Sequence, residues 1–290
     1  VTGVVTPSGK LTSTWVKAYE DIPFGENYSH NNGVLDKEYY KEGIYVGYRY
    51  FDSFRKDVAY PFGYGLSYTS FSIHADEFLP KENGEVEVKA TVTNTGSKWS
   101  GKEVVQVYVS CPQDGMEKEY RRLCGFAKTK LLKPGESEQV CITIPAKNFA
   151  SFSEEKSAWV VEAGNYGLWI GNSSKDLTVF GILNVEKTVI LEKVKAICPL
   201  KENLDELSNP KQVRLAREAE WKKEAAKKKV PVLTYLPKPE VRKVYKENEA
   251  ARIAKEIAGK LTTEQMILMV VGEISKGHDQ AIGAAGIMVP

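Results

Sequence analysis

The clearest pattern along the chain is an alternation of polar and apolar residues between positions 73 and 185. Residues 85–93 alternate over nine positions, and residues 138–144 do so again after a turn at Pro134 and Gly135. A period of two is typical of strands that have one buried and one exposed face. About seven such strands, separated by turns, predict an immunoglobulin-like β-sandwich. The strands are expected at residues 85–93, 104–109, 123–132, 138–144, 158–162, 166–170 and 179–185, with 158–162 and 166–170 as a hairpin.

The pattern is different before position 73, where glycine, proline, tyrosine and asparagine are frequent and apolar runs are short. Turns are expected at residues 6–9 and 60–63, because both contain proline and glycine. The segment lacks the periodicity of long helices and of alternating strands. A stretch with many aromatic residues and few regular elements needs another body to pack against. Residues 1–72 are therefore expected to be the trailing edge of a larger domain.

Residues 186–260 are strongly charged, and their spacing predicts a mainly helical connector. One helix should run from residue 210 to about residue 228, with Ser208 or Asn209 as its cap. A second helix is expected at residues 250–261, because apolar residues recur there on one face.

The prolines at 231, 237 and 239 lie between these two helices and favour an extended connection there. After the second helix, Thr262 and Gln265 have the spacing of a capping box, in which each side chain bonds the other residue's backbone N–H. This spacing predicts a third helix that begins near residue 263.

Composition narrows the classes of function. The 290 residues include 40 basic and 38 acidic ones, with a net charge of +2, so neither nucleic acid nor a membrane surface is an expected partner. No apolar run approaches the ~20 residues that cross a bilayer. The basic runs at 222–223 and 227–229 are expected to be solvated helix faces.

Cysteine and histidine positions give no metal-binding pattern, so no metal site is predicted. Free thiols in a reducing compartment are the favoured interpretation, and a disulfide between two cysteines is the alternative. A cytoplasmic location follows from the favoured interpretation. The residues concerned are Cys111, Cys124, Cys141, Cys198, His30, His74 and His278.

No cofactor-binding motif is complete. Lys10 follows a glycine but is itself followed by Leu11, where a phosphate-binding loop requires serine or threonine. Gly63 and Gly65 lack the third glycine of a dinucleotide fingerprint, so no cofactor is expected. Asn27 and Asn172 begin glycosylation sequons, which have meaning only in a secreted eukaryotic protein.

The first 72 residues combine acidic and aromatic side chains, and two interpretations are open. Aromatic faces can cover sugar C–H groups while carboxylates accept hydroxyl hydrogen bonds, which would make a sugar platform. Alternatively, the aromatic residues fill a seam between domains, with Arg49 paired to a carboxylate. Composition alone selects no catalytic residue among them. The acidic residues are Glu20, Asp21, Glu42 and Asp52, and the aromatic ones considered are Tyr48, Tyr50, Phe51 and Phe62.

Two motifs, GYRYFD at 47–52 and PFGYGLSYTSF at 61–71, resemble the end of the second domain of glycoside hydrolase family 3, the β-glucosidase family. TPSGKL at 6–11 and YEDIP at 19–23 look like the same α/β sandwich domain. The segments VTNTG, GKEVVQVY, LKPGE and GNY, beginning at 92, 101, 132 and 164, are similar to the fibronectin type III-like domain that follows it. LTTEQ at 261–265 and GAAG at 283–286 look like the opening of the family's (β/α)8 barrel.

The resemblance implies an internal part of an enzyme with permuted domain order. Its domains would be the C-terminal part of the α/β sandwich domain at 1–72, the fibronectin type III-like domain at 73–185, the charged helical connector at 186–260 and the start of the barrel at 261–290. The implied fold is mainly β with α. In the family the nucleophilic aspartate lies in a Ser-Asp-Trp-like motif of the barrel, and the acid/base glutamate lies upstream of the Pro-Ser-Gly-Lys turn. Neither can be assigned here, so no catalytic, cofactor-binding or metal-binding residue is named.

The implied function is therefore part of a retaining exo-β-glycosidase that hydrolyses terminal β-linked sugars, with this chain inactive alone. Its expected substrate in the full-length enzyme is a β-glucoside or oligosaccharide, and a homo-oligomer is possible. The alternative is a non-enzymatic immunoglobulin-like binding or adhesion module, because sandwich domains have many functions. A split or degraded gene with a scaffolding product is a third interpretation. The sequence on both sides of these residues would distinguish them.

Overall fold

The computed structural model describes residues 3–30, 33, 38–195, 202–239 and 249–270. The chain forms two compact units, Val1–Glu240 and Val241–Pro290. Eleven strands lie within the described part of the first unit, most of them between residues 71 and 193. They are β1 (Phe71–Pro80), β2 (Val86–Asn94), β3 (Val104–Ser110), β4 (Arg122–Lys128), β5 (Ser137–Ile144), β6 (Ser151–Ser153), β7 (Ala158–Val161), β8 (Gly164–Gly171), β9 (Leu177–Val185), β10 (Val189–Lys193) and β11 (Val232–Thr234).

Two sheets share one hydrophobic core and form the predicted sandwich. The first has the order β1-β2-β5, and the second has the order β11-β9-β8-β3-β4. In β2 every second residue is buried, and Val88 faces Ile142 of β5 in an antiparallel pair. Val107 of β3 and Leu168 of β8 belong to the same buried cluster. The alternation seen in the sequence thus supplies the core, and the mainly β fold class is confirmed.

The predicted hairpin at 158–170 is wrong. The strand β7 pairs with β6 and β10 in a third small sheet, whereas β8 pairs with β3 and β9. Gly164, where β8 begins, has φ +137°, and a Cβ there would lie 2.7 Å from Cγ of Pro112. The last six residues of β8 are all buried, so both faces of this strand are covered by other parts of the chain. The chain therefore changes sheets at a turn that looks like a hairpin in the sequence.

The strand expected at 179–185 is present as β9, but it is not the last strand. Within the segment expected to be a helical connector, β10 pairs with β7 and β11 runs parallel to β9, with Val232 opposite Ile182. Tyr235 follows β11, is buried in the core, and donates a hydrogen bond from its hydroxyl to the carbonyl of Gly84 at 2.7 Å. The sandwich therefore uses residues well beyond 185, while the domain limits at 72, 185 and 260 remain predictions.

The first 70 residues contain few regular elements, as predicted. The described residues among them form two 3-10 helices, Tyr19–Asp21 and Gly25–His30, and one short α-helix, α1 (Tyr48–Ser53). Backbone hydrogen bonds between residues 11–15 and 59–64 hold the two ends of this segment together.

The helix predicted at 210–228 is present as α2 (Lys211–Lys228), and it packs on the second sheet through Trp221 and Ala225. The predicted caps are wrong. Ser208 instead donates to Glu117, and the side-chain amide of Asn209 donates to the carbonyl of Ser53. Both side chains join α2 to other parts of the unit, because their partners lie far away in sequence.

The second unit contains α3 (Glu249–Lys260) and α4 (Thr263–Val270), which confirms both predicted helices. The capping box is also confirmed: the Thr262 N–H donates to Gln265 at 2.8 Å, and the Gln265 N–H donates to Thr262 at 3.2 Å. The barrel-like segment at 283–286 lies outside the described residues. None of the described helices has the length and apolar character needed to cross a bilayer.

Candidate functional site

The acidic residues singled out from the sequence lie in different environments. Glu20 and Asp21 are exposed, and Asp21 accepts a hydrogen bond from the N–H of Ala18 at 3.1 Å. Glu42 is half-buried, whereas Asp52 is only 3% exposed. Asp21 thus caps a local turn, and Asp52 belongs to the interior.

Asp52 is the centre of a buried ionic network. Its carboxylate lies 3.3 Å from Nη2 of Arg121 and 3.9 Å from Nζ of Lys175. Arg217 on α2 donates to the backbone carbonyls of both Asp52 and Ser53. Burial raises the pKa of Asp52, and the positive charges of Arg121, Lys175 and Arg217 oppose that rise. Because its oxygens already face cations, Asp52 joins α1 to the sandwich and to α2.

The two arginines of this network also contact aromatic rings. The Arg121 guanidinium carbon lies 4.9 Å from the ring centroids of both Tyr120 and Trp169. Arg217 lies 3.5 Å from the centroid of Tyr120. Such cation–π contacts are worth ~0.5–2 kcal/mol, with the larger values at desolvated sites. Both cations are therefore fixed in position by rings as well as by oxygen atoms.

Glu117 makes a second junction between distant parts of the chain. One carboxylate oxygen accepts from the Tyr45 hydroxyl and from the Asn209 N–H, both at 2.6 Å, and the other accepts from Ser208 at 2.7 Å. Burial alone would raise the pKa of Glu117, but these hydrogen bonds outweigh it and lower the pKa. Burial, and then the same contact with Glu117, raise the pKa of Tyr45. Glu117 therefore ties residue 45 to the start of α2.

The aromatic residues of α1 fill a seam, as one of the two interpretations predicted. Tyr48 stacks on Phe62 at a centroid distance of 4.7 Å, and its hydroxyl accepts the N–H of Leu123 at 2.8 Å. Phe51 is buried. Arg49 pairs with a carboxylate as predicted, with Nε 3.6 Å from Oε1 of Glu119. These contacts are packing between the opening segment and the sandwich.

A groove remains on the opening segment, with a volume of about 470 Å³. Backbone hydrogen bonds join lining residues Leu11 and Tyr64, and Trp15 and Tyr60, and the rings of Trp15 and Tyr60 meet edge to face at 6.2 Å. Lys10 contributes its stem, while its ammonium group lies 2.8 Å from Glu103. This surface, called the aromatic groove below, is lined by Pro7, Gly9, Lys10, Leu11, Trp15, Tyr60, Tyr64, Gly65 and Leu66.

The described cysteines are free thiols. Cys111 and Cys124 are buried and Cys141 is exposed, while Cys198 and His278 lie outside the described residues. Burial raises the pKa of both interior thiols, which keeps them protonated and unreactive. In the described part of the chain no three or more His, Cys, Asp or Glu side chains are grouped as a metal site would require.

Sequence reasoning missed the polar residues that hold these parts together. Glu117, Glu119 and Arg121 lie in a charged run that resembles a solvated loop, and Arg217 lies on a charged helix. Asp52 lies 69 residues from Arg121 and 165 residues from Arg217, and Tyr45 lies 72 residues from Glu117, so no local spacing indicates these contacts. The motif GYRYFD contains the other half of two contacts, Arg49 and Asp52, and was the one available signal.

Comparisons with known proteins agree with this architecture. A model of the fibronectin type III-like domain matches residues 103–174. The chain is 39% identical over 214 residues to β-glucosidase A of Butyrivibrio fibrisolvens, a match that covers 66% of this chain and 25% of that protein. The chain thus spans about a quarter of the length of this curated relative.

Solved structures give the same result. A β-glucosidase from Paenibacillus barengoltzii superposes with a TM-score of 0.63 at 40% identity, over 67% of this chain and 22% of that one. A family 3 β-glucosidase from Bifidobacterium adolescentis does so with a TM-score of 0.56 at 36% identity, over 69% and 28%. These proteins give no support to the alternative of a binding or adhesion module. Over the two thirds of its length that they match, the chain is similar to β-glucosidases, among them a β-glucosidase of glycoside hydrolase family 3.

Proposed function

We propose that these residues are the supporting, non-catalytic part of a retaining exo-β-glycosidase of the β-glucosidase type. The observation that carries the proposal is the match of two thirds of the chain to solved β-glucosidases at about 40% identity. The substrate of the complete enzyme would be a β-glucoside or an oligosaccharide with a terminal β-linked sugar. The predicted domain limits, permuted order, cytoplasmic location and homo-oligomeric state belong to this proposal.

The proposal includes inactivity of the 290-residue chain by itself. Retaining hydrolysis needs a nucleophilic carboxylate and an acid/base carboxyl group roughly 5–5.5 Å apart, placed on either side of the glycosidic bond. Asp52 is buried against cations, and Asp21 caps a turn. The resemblance implies that both catalytic carboxyl groups lie outside these residues. Without them the chain has no group to form or release a glycosyl intermediate.

Hydrolysis of p-nitrophenyl β-glucoside tests both statements. We expect no release of p-nitrophenol by the purified chain above a heat-treated control, and steady release by the product of the complete reading frame that contains it. Steady release by the chain alone would show that its own carboxyl groups are catalytic. No release by the longer product, with any of a panel of aryl β-glycosides, would contradict the glycosidase assignment.

A further inference from the structure

A small cavity lies where α1, the loop between β3 and β4, and the start of α2 meet. Its volume is about 10 Å³, which leaves room for one occupant, of the size of a water molecule or a monatomic ion. Its walls are polar and largely buried, and none of the side chains in them is a carboxylate. This space, called the polar cavity below, is lined by Ser53, Gln113, Lys118, Tyr120, Asn209, Arg214 and Arg217.

Two guanidinium groups line the polar cavity without a carboxylate partner. Arg214 is 8% exposed, and it donates to the backbone carbonyl of Asn209 and to two oxygens of Gln113 at 3.0 to 3.2 Å. Arg217 is half-buried and donates to two backbone carbonyls of α1. All of these acceptors are neutral. Other arginines of the described chain form ion pairs with carboxylates, but Arg214 and Arg217 form none.

The carboxylates nearest to these arginines already have other partners. The charge of Arg214 helps to lower the pKa of Glu117, but the oxygens of Glu117 accept the three hydrogen bonds described above. Glu218 pairs with a lysine of its own helix. Lys118, the third cation of the lining, pairs with Glu162 and adds no unbalanced charge. Because an unpaired buried charge is unfavourable, a small anion would supply the partner that the two guanidinium groups lack.

The polar cavity also offers hydrogen-bond donors for an anion. Nε of Arg217 is buried and has no hydrogen-bond partner within the described chain, and its guanidinium is fixed 3.5 Å from the ring centroid of Tyr120. The hydroxyl of Ser53 accepts the N–H of Tyr120 at 2.9 Å, so its own hydrogen remains to be donated. Asn209 directly precedes the amino-terminal end of α2, where the helix dipole favours negative charge.

We propose that the polar cavity binds a single chloride ion, held by Arg214, Arg217 and Ser53. Its volume of about 10 Å³ leaves no room for phosphate, sulfate or an organic acid. The ion contacts α1 and α2 at once, so it binds the folded chain and not the unfolded one. Chloride therefore stabilises the fold in a saturable way, as any ligand selective for the folded state does. This site is independent of the sugar chemistry proposed above.

Thermal unfolding of the 290-residue chain in two salts tests the proposal. Sodium chloride is compared with sodium gluconate at one ionic strength, about 0.15 M, so that both salts screen charges equally. Gluconate is too large for the polar cavity. We expect a higher melting temperature in chloride, with a rise that saturates as chloride replaces gluconate.

Two matched variants locate the effect. Arg217→Gln removes a cation that lines the polar cavity, and Arg55→Gln removes one from an exposed ion pair with Glu220. We expect the chloride-dependent shift to be lost in Arg217→Gln and kept in Arg55→Gln. Each variant is compared with itself in the two salts, so a lower baseline stability does not hide the result.

Crystals of the unsubstituted chain grown in sodium bromide give a second readout that requires no variant to fold. We expect an anomalous bromide peak between Arg214 and Arg217. Density in the polar cavity without an anomalous signal would make the occupant a water molecule, and bromide at exposed side chains alone would be an adventitious ion only. Either result would overturn the proposal, as would equal melting temperatures in the two salts or a shift that persists in Arg217→Gln.

Discussion

The sandwich buries its apolar side chains, whereas the opening segment leaves several of its own exposed. In β2 the residues Val86, Val88, Ala90 and Val92 are all fully buried against facing strands. In the opening segment Trp15 and Leu66 remain largely exposed although the backbone beneath them is well bonded. The strands of the sandwich bury one another's apolar side chains, whereas the opening segment buries only some of its apolar side chains. A period-two pattern therefore predicts a self-sufficient core, and aromatic richness without a period predicts a surface that is shared.

The two regions meet through polar contacts as well as through the aromatic seam. Asp52 on α1 faces Arg121, and Arg217 on α2 bonds the backbone of α1. Buried ion pairs give little net stability when compared with apolar packing, but breaking one leaves an unpaired buried charge. These contacts between α1, the sandwich and α2 are called the join below. A single substitution in the join should therefore change the free energy of unfolding more than one on the exposed surface beside it.

The largest effect is expected from Asp52→Ala, because it leaves Arg121 buried without its carboxylate. We expect the free energy of unfolding to fall by about 3–5 kcal/mol, measured by urea denaturation of the purified chain. Asp57→Ala is the matched control, since Asp57 is 86% exposed in a pair with Lys17 and should change stability by about 0–1 kcal/mol. Equal midpoints for the two variants would mean that the Asp52 network does not hold the join.

A pair of leucine substitutions compares the two regions themselves. Leu168→Ala removes a fully buried side chain from β8 and should lower the free energy of unfolding by about 2–5 kcal/mol. Leu66→Ala removes an exposed side chain from the aromatic groove and should change it by less than about 0.5 kcal/mol. A comparable loss for Leu66→Ala would show that the groove is already filled in the chain alone.

Glu117→Gln should lower stability by about 1.5–3 kcal/mol near neutral pH, because hydrogen bonds to a charged acceptor are lost. The folded state lowers the pKa of Glu117 from an unfolded value of about 4.3, so its contribution is complete above that value and disappears as pH falls through the folded pKa. The difference in melting temperature between the two proteins should thus be constant above pH ~5 and shrink below pH ~4.

Glu155→Gln is the control for this pH dependence, because Glu155 is exposed. Its melting temperature should follow that of the unsubstituted chain at every pH. A difference for Glu117→Gln that persists unchanged at low pH would mean that the charge of Glu117 is not what stabilises the junction.

Among the substitutions expected to destabilise the chain, Gly167→Ala in β8 should have the smallest effect. A Cβ at this position would lie 2.9 Å from Cζ3 of Trp221, so the ring and α2 must shift. We expect a loss of about 1–3 kcal/mol, together with faster hydrogen exchange in α2. Gly9→Ala, which meets no atom within 4 Å, should leave exchange in α2 unchanged. Unchanged exchange in both variants would contradict tight packing of α2 on the sheet.

The sandwich could largely be predicted because its information is local. The alternation in β2 and β5 and the capping box at Thr262 each lie within a few residues of one another. The change of sheet at Gly164 could not be predicted, because the turn does not reveal which strands accept β8. The strands β10 and β11 were missed for a similar reason, since both are short and lie in charged surroundings.

The site residues were harder to predict because their partners are distant. Asp52 is 69 residues from Arg121 and 165 residues from Arg217, and its burial exists only once the sandwich and α2 are in place. Glu117 and Tyr45, 72 residues apart, form a similar long-range pair. The family motif at 47–52 marked the right region, but physical reasoning from the sequence left its role open between a sugar platform and a seam.

Hydrogen–deuterium exchange of the 290-residue chain and of the complete reading-frame product tests whether the opening segment is a shared surface. Slower exchange at residues 7–66 in the longer protein, with unchanged exchange in β2 and β8, is the expected result. Identical exchange at residues 7–66 in both proteins would contradict it, because the groove would then have no partner beyond these residues.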